Sequence, residues 1–357
     1  MKIDVFCHIT PPKFLKAFEK RIAPEICSQL PCRYLPTLTD MDVRFRVKDE
    51  CADMAQVLTL TNPPVELIAE PAIAVELAQV ANDEMAELVA KYPDRFVGAV
   101  ACLPLNDMDA ALKEADRAIN ELHLRGVQIY SHIMGKPLDS PEFMPLYEKM
   151  AQYDLPIWIH PFFQATGTVA KDGSQFKTYR VFVGEVDRAW EMHRNAFQVT
   201  EGTPFAMTYL VYSGAFDKFP NLKIITHHCG ASVPYFSGRI ANQYDMAKAR
   251  EGTVGDFTKP IVEYYKMFYA DTALQGNTSA LMCGYDFFGA DHMLFGTDMP
   301  FDAELGAWVI RETVASVEKM PITNAEKRNI FEDNARELLR LPIIANNSNR
   351  GGDAYVK

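Results

Sequence analysis

The sequence predicts an α/β protein, a (β/α)8 TIM-like barrel with insertions after its first and fifth strands. Eight short apolar runs alternate with helical patterns along the chain, as expected for parallel strands that are buried on both faces. Eight such units close into a barrel of about 250 residues, and a chain of 357 residues leaves room for insertions. An open doubly wound sheet is the alternative, but no glycine-rich turn follows the first run.

The eight predicted strands are runs rich in apolar and β-branched residues. They span residues 2–9, 54–61, 96–103, 127–131, 155–160, 222–229, 267–272 and 292–298. Apolar positions spaced by three and four predict helices between them, at 64–91, 107–123, 140–153, 203–219, 233–250, 276–284, 304–319 and 324–340. Pro71 predicts a kink or a break in the first of these helices.

The organisation predicted for the chain is one domain over residues 1–345, followed by a polar tail at 346–357. No composition shift or internal repeat divides the chain. The segments 10–53 and 162–202 are the predicted insertions. They follow the carboxyl ends of strands, which is the face where a barrel carries its active site.

Charge and composition exclude several classes of partner. The formal net charge is −11, and no block of basic residues is present, which disfavours nucleic acid and anionic membranes as partners. No run of about 20 apolar residues predicts a membrane span, and the first apolar run is too short for a signal-peptide core. Seven cysteines without a CxxC motif indicate a reducing compartment, so we expect a cytoplasmic protein.

Ionisable side chains recur at the carboxyl ends of four predicted strands. These are His8 on the first, His160 on the fifth, the pair His227 and His228 on the sixth, and Asp298 on the eighth. In a barrel those ends meet at one mouth, and imidazoles with a carboxylate are what a divalent metal such as Zn²⁺ uses. One histidine at a strand end is more often a hydrogen-bonded core residue, but four strand ends favour a site. Asp271, which also ends a strand, is interpreted as structural.

Several longer segments, in this order and spacing, resemble the amidohydrolase-related family. The resemblance is strongest to its branch of aminocarboxymuconate-semialdehyde and γ-resorcylate decarboxylases. It covers most of the chain, and the segments that carry it are LAQVANDEMAELVAKYPDRFVGAVACLPL, PFAMTYLVYSGAFDKFPNLKIITHHCG, PYFSGRI, LFGTDMPFD and NARELLRL.

The resemblance implies roles for individual residues. His8, His160 and Asp298 match metal ligands, and Asp298 also matches a group that takes part in proton transfer. His228, in the sequence His-Cys-Gly, matches the catalytic acid/base, which leaves His227 as its outward-facing neighbour. Arg239 matches an arginine that reaches a substrate carboxylate across a subunit interface, and the resemblance therefore implies a homodimer.

The chain departs from the family at Phe6, where a histidine or glutamate ligand is usual. Three ligands still suffice for a divalent ion, with zinc expected and manganese the alternative. The rival interpretation is a site that has lost its metal, with Phe6 packed against substrate. The aromatic side chains Phe6, Trp158, Phe162 and Phe163 would suit contact with a flat organic substrate, and core filling is the alternative, above all for Trp158.

The function predicted is metal-assisted, non-oxidative decarboxylation of a small aromatic or unsaturated carboxylic acid. Hydrolysis of a C–C bond, lactone or amide, or hydration of a double bond, is the alternative, in which a metal-activated water reacts and His228 is the general base. A non-catalytic binding protein is the third possibility. Candidate partners for the substrate carboxylate lie in the insertions, at Arg44, Arg46, Lys177, Tyr179 and Arg180.

Overall fold

The computed structural model describes residues 1–50, 53–162, 202–252, 255 and 257–341. The predicted insertion at 162–202, apart from its two end residues, and the predicted tail at 346–357 lie outside the described residues, as do Phe163, Lys177, Tyr179 and Arg180. The strands are β1 (Lys2–Ile9), β2 (Met54–Leu60), β3 (Phe96–Ala99), β4 (Ala101–Cys102), β5 (Val127–Tyr130), β6 (Ile157–His160), β7 (Ile224–Thr226), β8 (Tyr269–Asp271) and β9 (Met293–Leu294).

All neighbouring strands pair in parallel, and the sheet closes on itself as predicted. Strands β1 to β3 form one run of hydrogen-bonded neighbours, and strands β4 to β9 form a second run. A bond from Val100 N–H to Leu58 O, 2.9 Å, joins the two runs, so β3 and β4 are two parts of one barrel position. A bond from Val5 N–H to Phe295 O, also 2.9 Å, closes the barrel between β1 and the residues after β9.

Helices follow the strands around the outside of the barrel. They are α1 (Pro12–Arg21), α2 (Pro24–Cys27), α3 (Met41–Asp49), α4 (Val65–Ile68), α5 (Pro71–Lys91), α6 (Met108–Asn120), α7 (Met144–Tyr153), α8 (202–212), α9 (Ala215–Lys218), α10 (Ser237–Glu251), α11 (Ile261–Tyr265), α12 (Thr278–Phe288), α13 (Ala307–Glu318), α14 (Asn324–Arg328) and α15 (Asn334–Leu338). Pro71 begins α5 rather than kinking a longer helix. A proline is tolerated there because the N–H that it lacks would have no hydrogen-bond partner within the first turn of a helix.

The amino-terminal half of the barrel interior is packed with apolar side chains. This cluster comprises Ile3, Val5, Val57, Val100, Trp158, Ile225 and Leu294 together with residues of α15. Trp158 is fully buried there and donates its indole N–H to Val5 O at 3.0 Å. Of the two interpretations of Trp158, core filling is therefore the one that the structure supports: its ring shares the interior side with His160 but lies one layer lower, where it fills the barrel.

The described residues contain no helix that is both long and apolar enough to cross a membrane. Their six cysteines are unpaired.

Candidate active site

Four of the predicted site residues meet at the carboxyl-terminal mouth of the barrel. His8 Nε2 lies 3.2 Å from Asp298 Oδ1 and 3.3 Å from His160 Nε2. His228 Nε2 lies 3.3 Å from the other carboxylate oxygen, Asp298 Oδ2. These residues are separated by up to 290 positions in the chain, and closure of the barrel brings them into contact.

A bulge in β1 directs Phe6 and His8 into this cluster. The register of β1 against β2 shifts between Asp4 and Cys7, as happens when one strand carries an extra residue. The Asp4 carboxylate accepts the freed N–H of Phe6 at 3.1 Å. It also accepts the Thr297 hydroxyl at 2.6 Å and the Thr297 N–H at 3.0 Å, so one side chain joins the segments that carry His8 and Asp298. Burial raises the pKa of Asp4 to about 7, although these donors oppose the rise.

Left-handed backbone turns position His228 and Asp298. The φ angles are 54° at His228, 53° at Cys229 and 62° at Asp298, a region that side chains with a Cβ adopt at a cost and that is common at functional sites. The Asp271 carboxylate stabilises the first of these turns by accepting the N–H of Cys229 at 3.0 Å. Asp271 is therefore structural, as the sequence indicated.

His227 faces the same cluster, and the prediction that it points outward is wrong. Its imidazole stacks on the Phe6 ring, with centroids 3.6 Å apart and planes 15° apart. Its Nδ1–H donates to Asp271 Oδ2 at 2.9 Å, and the side chain is fully buried. Strand alternation does not apply here because β7 ends at Thr226 and the chain turns at His228. Burial lowers the pKa of His227, and the contact with Asp271 opposes this only in part.

The donor atoms of the cluster fit a divalent cation. His160 donates its Nδ1–H to Pro161 O at 2.7 Å, which leaves a lone pair on Nε2. The Thr59 hydroxyl donates to Cys7 O at 3.1 Å and so accepts from His8 Nδ1 at 3.3 Å, which leaves a lone pair on His8 Nε2 as well. When both imidazoles are neutral, two lone pairs and a carboxylate oxygen converge, and either a proton or a metal cation among them relieves their repulsion.

The separations between these donors also suit a metal. Bonds of about 2.0–2.1 Å place tetrahedral ligands about 3.3 Å apart, close to the contacts of His8 with His160 and Asp298. Within the described residues, however, no group of three or more such side chains is already arranged to hold an ion. The fit to a divalent ion therefore rests on the pairwise contacts and on the imidazole tautomers. Burial first, and the neighbouring imidazoles second, hold the pKa of His160 well below its usual value, so its lone pair is available.

His228 and Asp298 form an ion pair at the edge of the cluster. Burial alone would lower the pKa of His228, but the Asp298 carboxylate outweighs burial and raises it. Burial would raise the pKa of Asp298, but the contact with His228 opposes this and the pKa lies well below the usual range. The contact therefore favours the imidazolium form of His228 and the carboxylate form of Asp298.

The remaining predicted residues lie elsewhere. Arg239 is exposed on α10 and lines a groove with side chains of α8 and α11, and no member of the cluster lines that groove. Arg44 is fully buried behind β1, where it donates to His8 O at 2.7 Å, so it supports the strand instead of meeting a substrate. Arg46 is exposed on the same helix.

Asp4 and Thr59 are the positioning residues that sequence reasoning missed. A buried aspartate within an apolar strand was the available signal for Asp4. Nothing in the sequence distinguished Thr59 from a strand threonine, because its contact with His8 depends on the pairing of β1 with β2.

Comparison with known proteins assigns the family. The model of a family described as Amidohydrolase matches residues 3–341. The chain belongs to this amidohydrolase family. Its resemblance to the decarboxylase branch is also confirmed: the chain is 32% identical over 329 residues to γ-resorcylate decarboxylase of Polaromonas sp., covering 89% of this chain and 90% of the relative.

Two further decarboxylases are similar to this chain. It is 29% identical to 2-amino-3-carboxymuconate-6-semialdehyde decarboxylase of Dictyostelium discoideum, over 84% of this chain and 77% of the relative. The crystal structure of a dihydroxybenzoic acid decarboxylase from Polaromonas sp., with bound manganese and the inhibitor 2-nitroresorcinol, matches with a TM-score of 0.71 and 26% identity, covering 95% of this chain and 96% of that one. These three relatives are thus decarboxylases, and the structure of one of them contains a divalent metal.

Proposed function

We propose that this member of the amidohydrolase family is a metal-assisted, non-oxidative decarboxylase of a small aromatic or unsaturated carboxylic acid. The observation that carries the proposal is the position of Asp298, whose two carboxylate oxygens contact His8 on one side and His228 on the other. This arrangement separates a cation-binding half of the site from a proton-donating half. The decarboxylases among its relatives support the same reaction.

His228 is the proposed proton donor. Its imidazolium protonates the substrate carbon that carries the carboxylate, which interrupts conjugation. The C–C bond to the carboxylate then breaks, CO₂ leaves, and the bonding electrons return to the conjugated system, so a proton replaces CO₂. Asp298 keeps His228 charged and oriented. The Phe6 ring is fully buried and lies perpendicular to His228, with centroids 5.8 Å apart, and it is the proposed apolar wall of the substrate site.

His8, His160 and Asp298 are the proposed metal ligands. A divalent ion bound there supplies positive charge that orients the substrate carboxylate or an adjacent hydroxyl. Zinc and manganese both suit two imidazoles and a carboxylate, and manganese is the ion in the related structure. The phenyl ring of Phe6 cannot coordinate, so substrate or water completes the coordination.

The test is a screen of hydroxybenzoic and muconate-type acids for CO₂ release, using protein that is stripped with a chelator and then given Mn²⁺ or Zn²⁺. We expect CO₂ release that requires the added metal and that is lost in His228→Asn. Incorporation of ¹⁸O from labelled water without CO₂ would instead indicate the hydrolase or hydratase alternative. Turnover that persists after stripping would remove the metal from the proposal.

Two further features of the proposal concern assembly and location. Arg239 lies on an exposed groove whose lining includes Tyr212 and Phe236, and such a surface suits a homodimer in which Arg239 contacts the partner subunit. Light scattering on the purified protein tests this, and a monomer at micromolar concentration would contradict it.

The cytoplasmic location rests on the six unpaired cysteines among the described residues, which suit a reducing compartment.

A further inference from the structure

The interior wall formed by β2 and β5 carries polar groups beside the imidazole cluster. In the pairing of β5 with β6, Gln128 is in register with Trp158 and Tyr130 with His160. Paired residues of adjacent strands point to the same side, so Gln128 and Tyr130 face the barrel interior as Trp158 and His160 do. The rings of Tyr130 and His160 lie 5.6 Å apart. The wall therefore adjoins the proposed metal site.

The orientation of the Gln128 amide is determined by its surroundings. Strand β4 ends at Cys102, so the carbonyl of Leu60 near the end of β2 bonds to a side chain instead of a strand. Gln128 Nε2 donates to Leu60 O and to Tyr130 Oη, each at 3.0 Å. Because a carbonyl can only accept, the nitrogen must occupy this position, and Oε1 points away as an acceptor. No described residue donates to that buried oxygen.

Thr61 presents a second polar atom on the same wall. The pairing of β2 with β1 continues past Leu60, because the Thr61 N–H donates to Ile9 O at 2.9 Å. Thr61 lies two residues after Thr59, whose hydroxyl contacts His8, so both side chains face the interior. It also follows Leu60 directly, which places it next to the Gln128 amide. The Thr61 side chain is 3% exposed, and its Oγ1 has no hydrogen-bond partner among the described residues. Buried polar atoms are almost always paired in folded proteins.

We propose that Thr61 and Gln128 bind a hydroxyl group of the substrate, at a position other than the carboxylate that is removed. A hydroxyl donates to Gln128 Oε1 and accepts from Thr61 Oγ1, which satisfies both orphaned atoms. A carboxylate would face the Gln128 oxygen with no proton to donate, and an ammonium could not accept from Thr61. The inference rests on the proposed function and narrows its substrate class to hydroxylated acids, with the second hydroxyl directed toward β2 and β5.

The test compares binding of 2-hydroxybenzoate with the 2,3-, 2,4-, 2,5- and 2,6-dihydroxybenzoates, by calorimetry on the Mn²⁺-loaded protein. In the wild type we expect one dihydroxybenzoate to bind about tenfold more tightly than 2-hydroxybenzoate, the effect of one well-formed hydrogen-bonded pair. Thr61→Val retains the shape of the side chain and should reduce this preference to about onefold. Gln128→Leu should do the same if its melting temperature shows that it folds. Thr313→Val removes an equally buried, unpartnered hydroxyl from α13 and should retain the preference.

Each outcome decides the inference. A wild type that binds all five acids equally, or that binds none of them, overturns it. A preference that survives Thr61→Val also overturns it, and it would assign the two orphaned atoms to a structural water. A preference that is lost in Thr61→Val supports it even if no acid releases CO₂. In that case the binding site stands and the proposed decarboxylation fails. If the protein releases CO₂ from 2-hydroxybenzoate but binds the four dihydroxybenzoates no more tightly than 2-hydroxybenzoate, the proposed decarboxylation is retained and the hydroxyl-binding site is excluded.

Discussion

The phenyl ring of Phe6 lies parallel to the imidazole of His227, with ring centroids 3.6 Å apart. Phe6 therefore contributes no donor atom where the family usually has a ligand, and it packs instead against a histidine that Asp271 holds from the other side. The stack keeps the bulged part of β1 against the end of β7. It gives the site an apolar face beside three candidate ligands.

We predict that Phe6→His increases metal affinity. An imidazole at this position retains a ring that can stack on His227 and adds a donor two residues before His8. We expect the dissociation constant for Zn²⁺ or Mn²⁺ to fall at least about tenfold, about 1.4 kcal/mol, in competition titrations with a chromogenic chelator. Phe6→Leu, which is apolar and has no donor, is the matched control. Equal affinities in the two variants would show that position 6 does not face the ion.

We predict that His228→Asn abolishes turnover without affecting metal content. Among the proposed ligands, the side chain contacts Asp298 alone and only through its outer carboxylate oxygen, so its loss removes the proton donor and leaves the proposed ligands in place. The expected decrease in kcat is roughly 10²–10⁴-fold, measured with metal analysis on the same sample. His292→Asn, at the opposite end of the barrel beside Phe268 and Tyr269, should retain activity. Loss of the metal in His228→Asn would instead make this residue a ligand.

We predict that Asp271→Asn both destabilises the fold and impairs catalysis. The carboxylate accepts from His227 Nδ1 and from the N–H groups of Cys229 and Ala273, and an amide nitrogen would face one of these donors. We expect the free energy of unfolding to fall by about 2–4 kcal/mol and kcat to fall because the turn carrying His228 loosens. Chemical denaturation and CO₂ release measure the two effects. The exposed Asp94→Asn should change neither, and an unaltered kcat in Asp271→Asn would contradict the positioning role.

We predict that Glu66 makes the protein less stable as pH rises. Burial raises the pKa of this carboxyl, on α4, to about 8, above its value of about 4.3 in an unfolded chain. A raised folded-state pKa contributes stability that is complete below about pH 4.3 and is lost as pH increases toward 8. Glu66→Gln, which cannot ionise, should therefore become more stable than the wild type, by on the order of 4 kcal/mol near pH 8.

Denaturation curves at pH 5, 6.5 and 8 measure this difference for Glu66→Gln. Glu50→Gln, at an exposed position after α3, is the control and should follow the wild type. A constant difference between Glu66→Gln and the wild type at all three pH values would show that Glu66 is ionised in the folded protein throughout.

Much of the barrel could be predicted because strand and helix signals are local. The run at residues 2–9 coincides with β1, and the helix predicted at 107–123 corresponds to α6, which Asp107 caps. The boundaries are less accurate at 222–229 and 292–298, where only Ile224–Thr226 and Met293–Leu294 are strand. There the polar residues belong to turns after the strand, and apolar composition does not separate a strand from the turn that follows it.

The sequence by itself determined that His8, His160, His228 and Asp298 lie at or just after the carboxyl ends of barrel strands, because buried strands are mostly apolar and these residues interrupt that pattern. Only the tertiary structure decided which atoms meet. The contact of His8 Nε2 with Asp298 Oδ1, the stacking of His227 on Phe6, and the amide orientation of Gln128 each depend on strand register and on left-handed turns. Those features arise from contacts between residues far apart in the chain, and no local pattern encodes them.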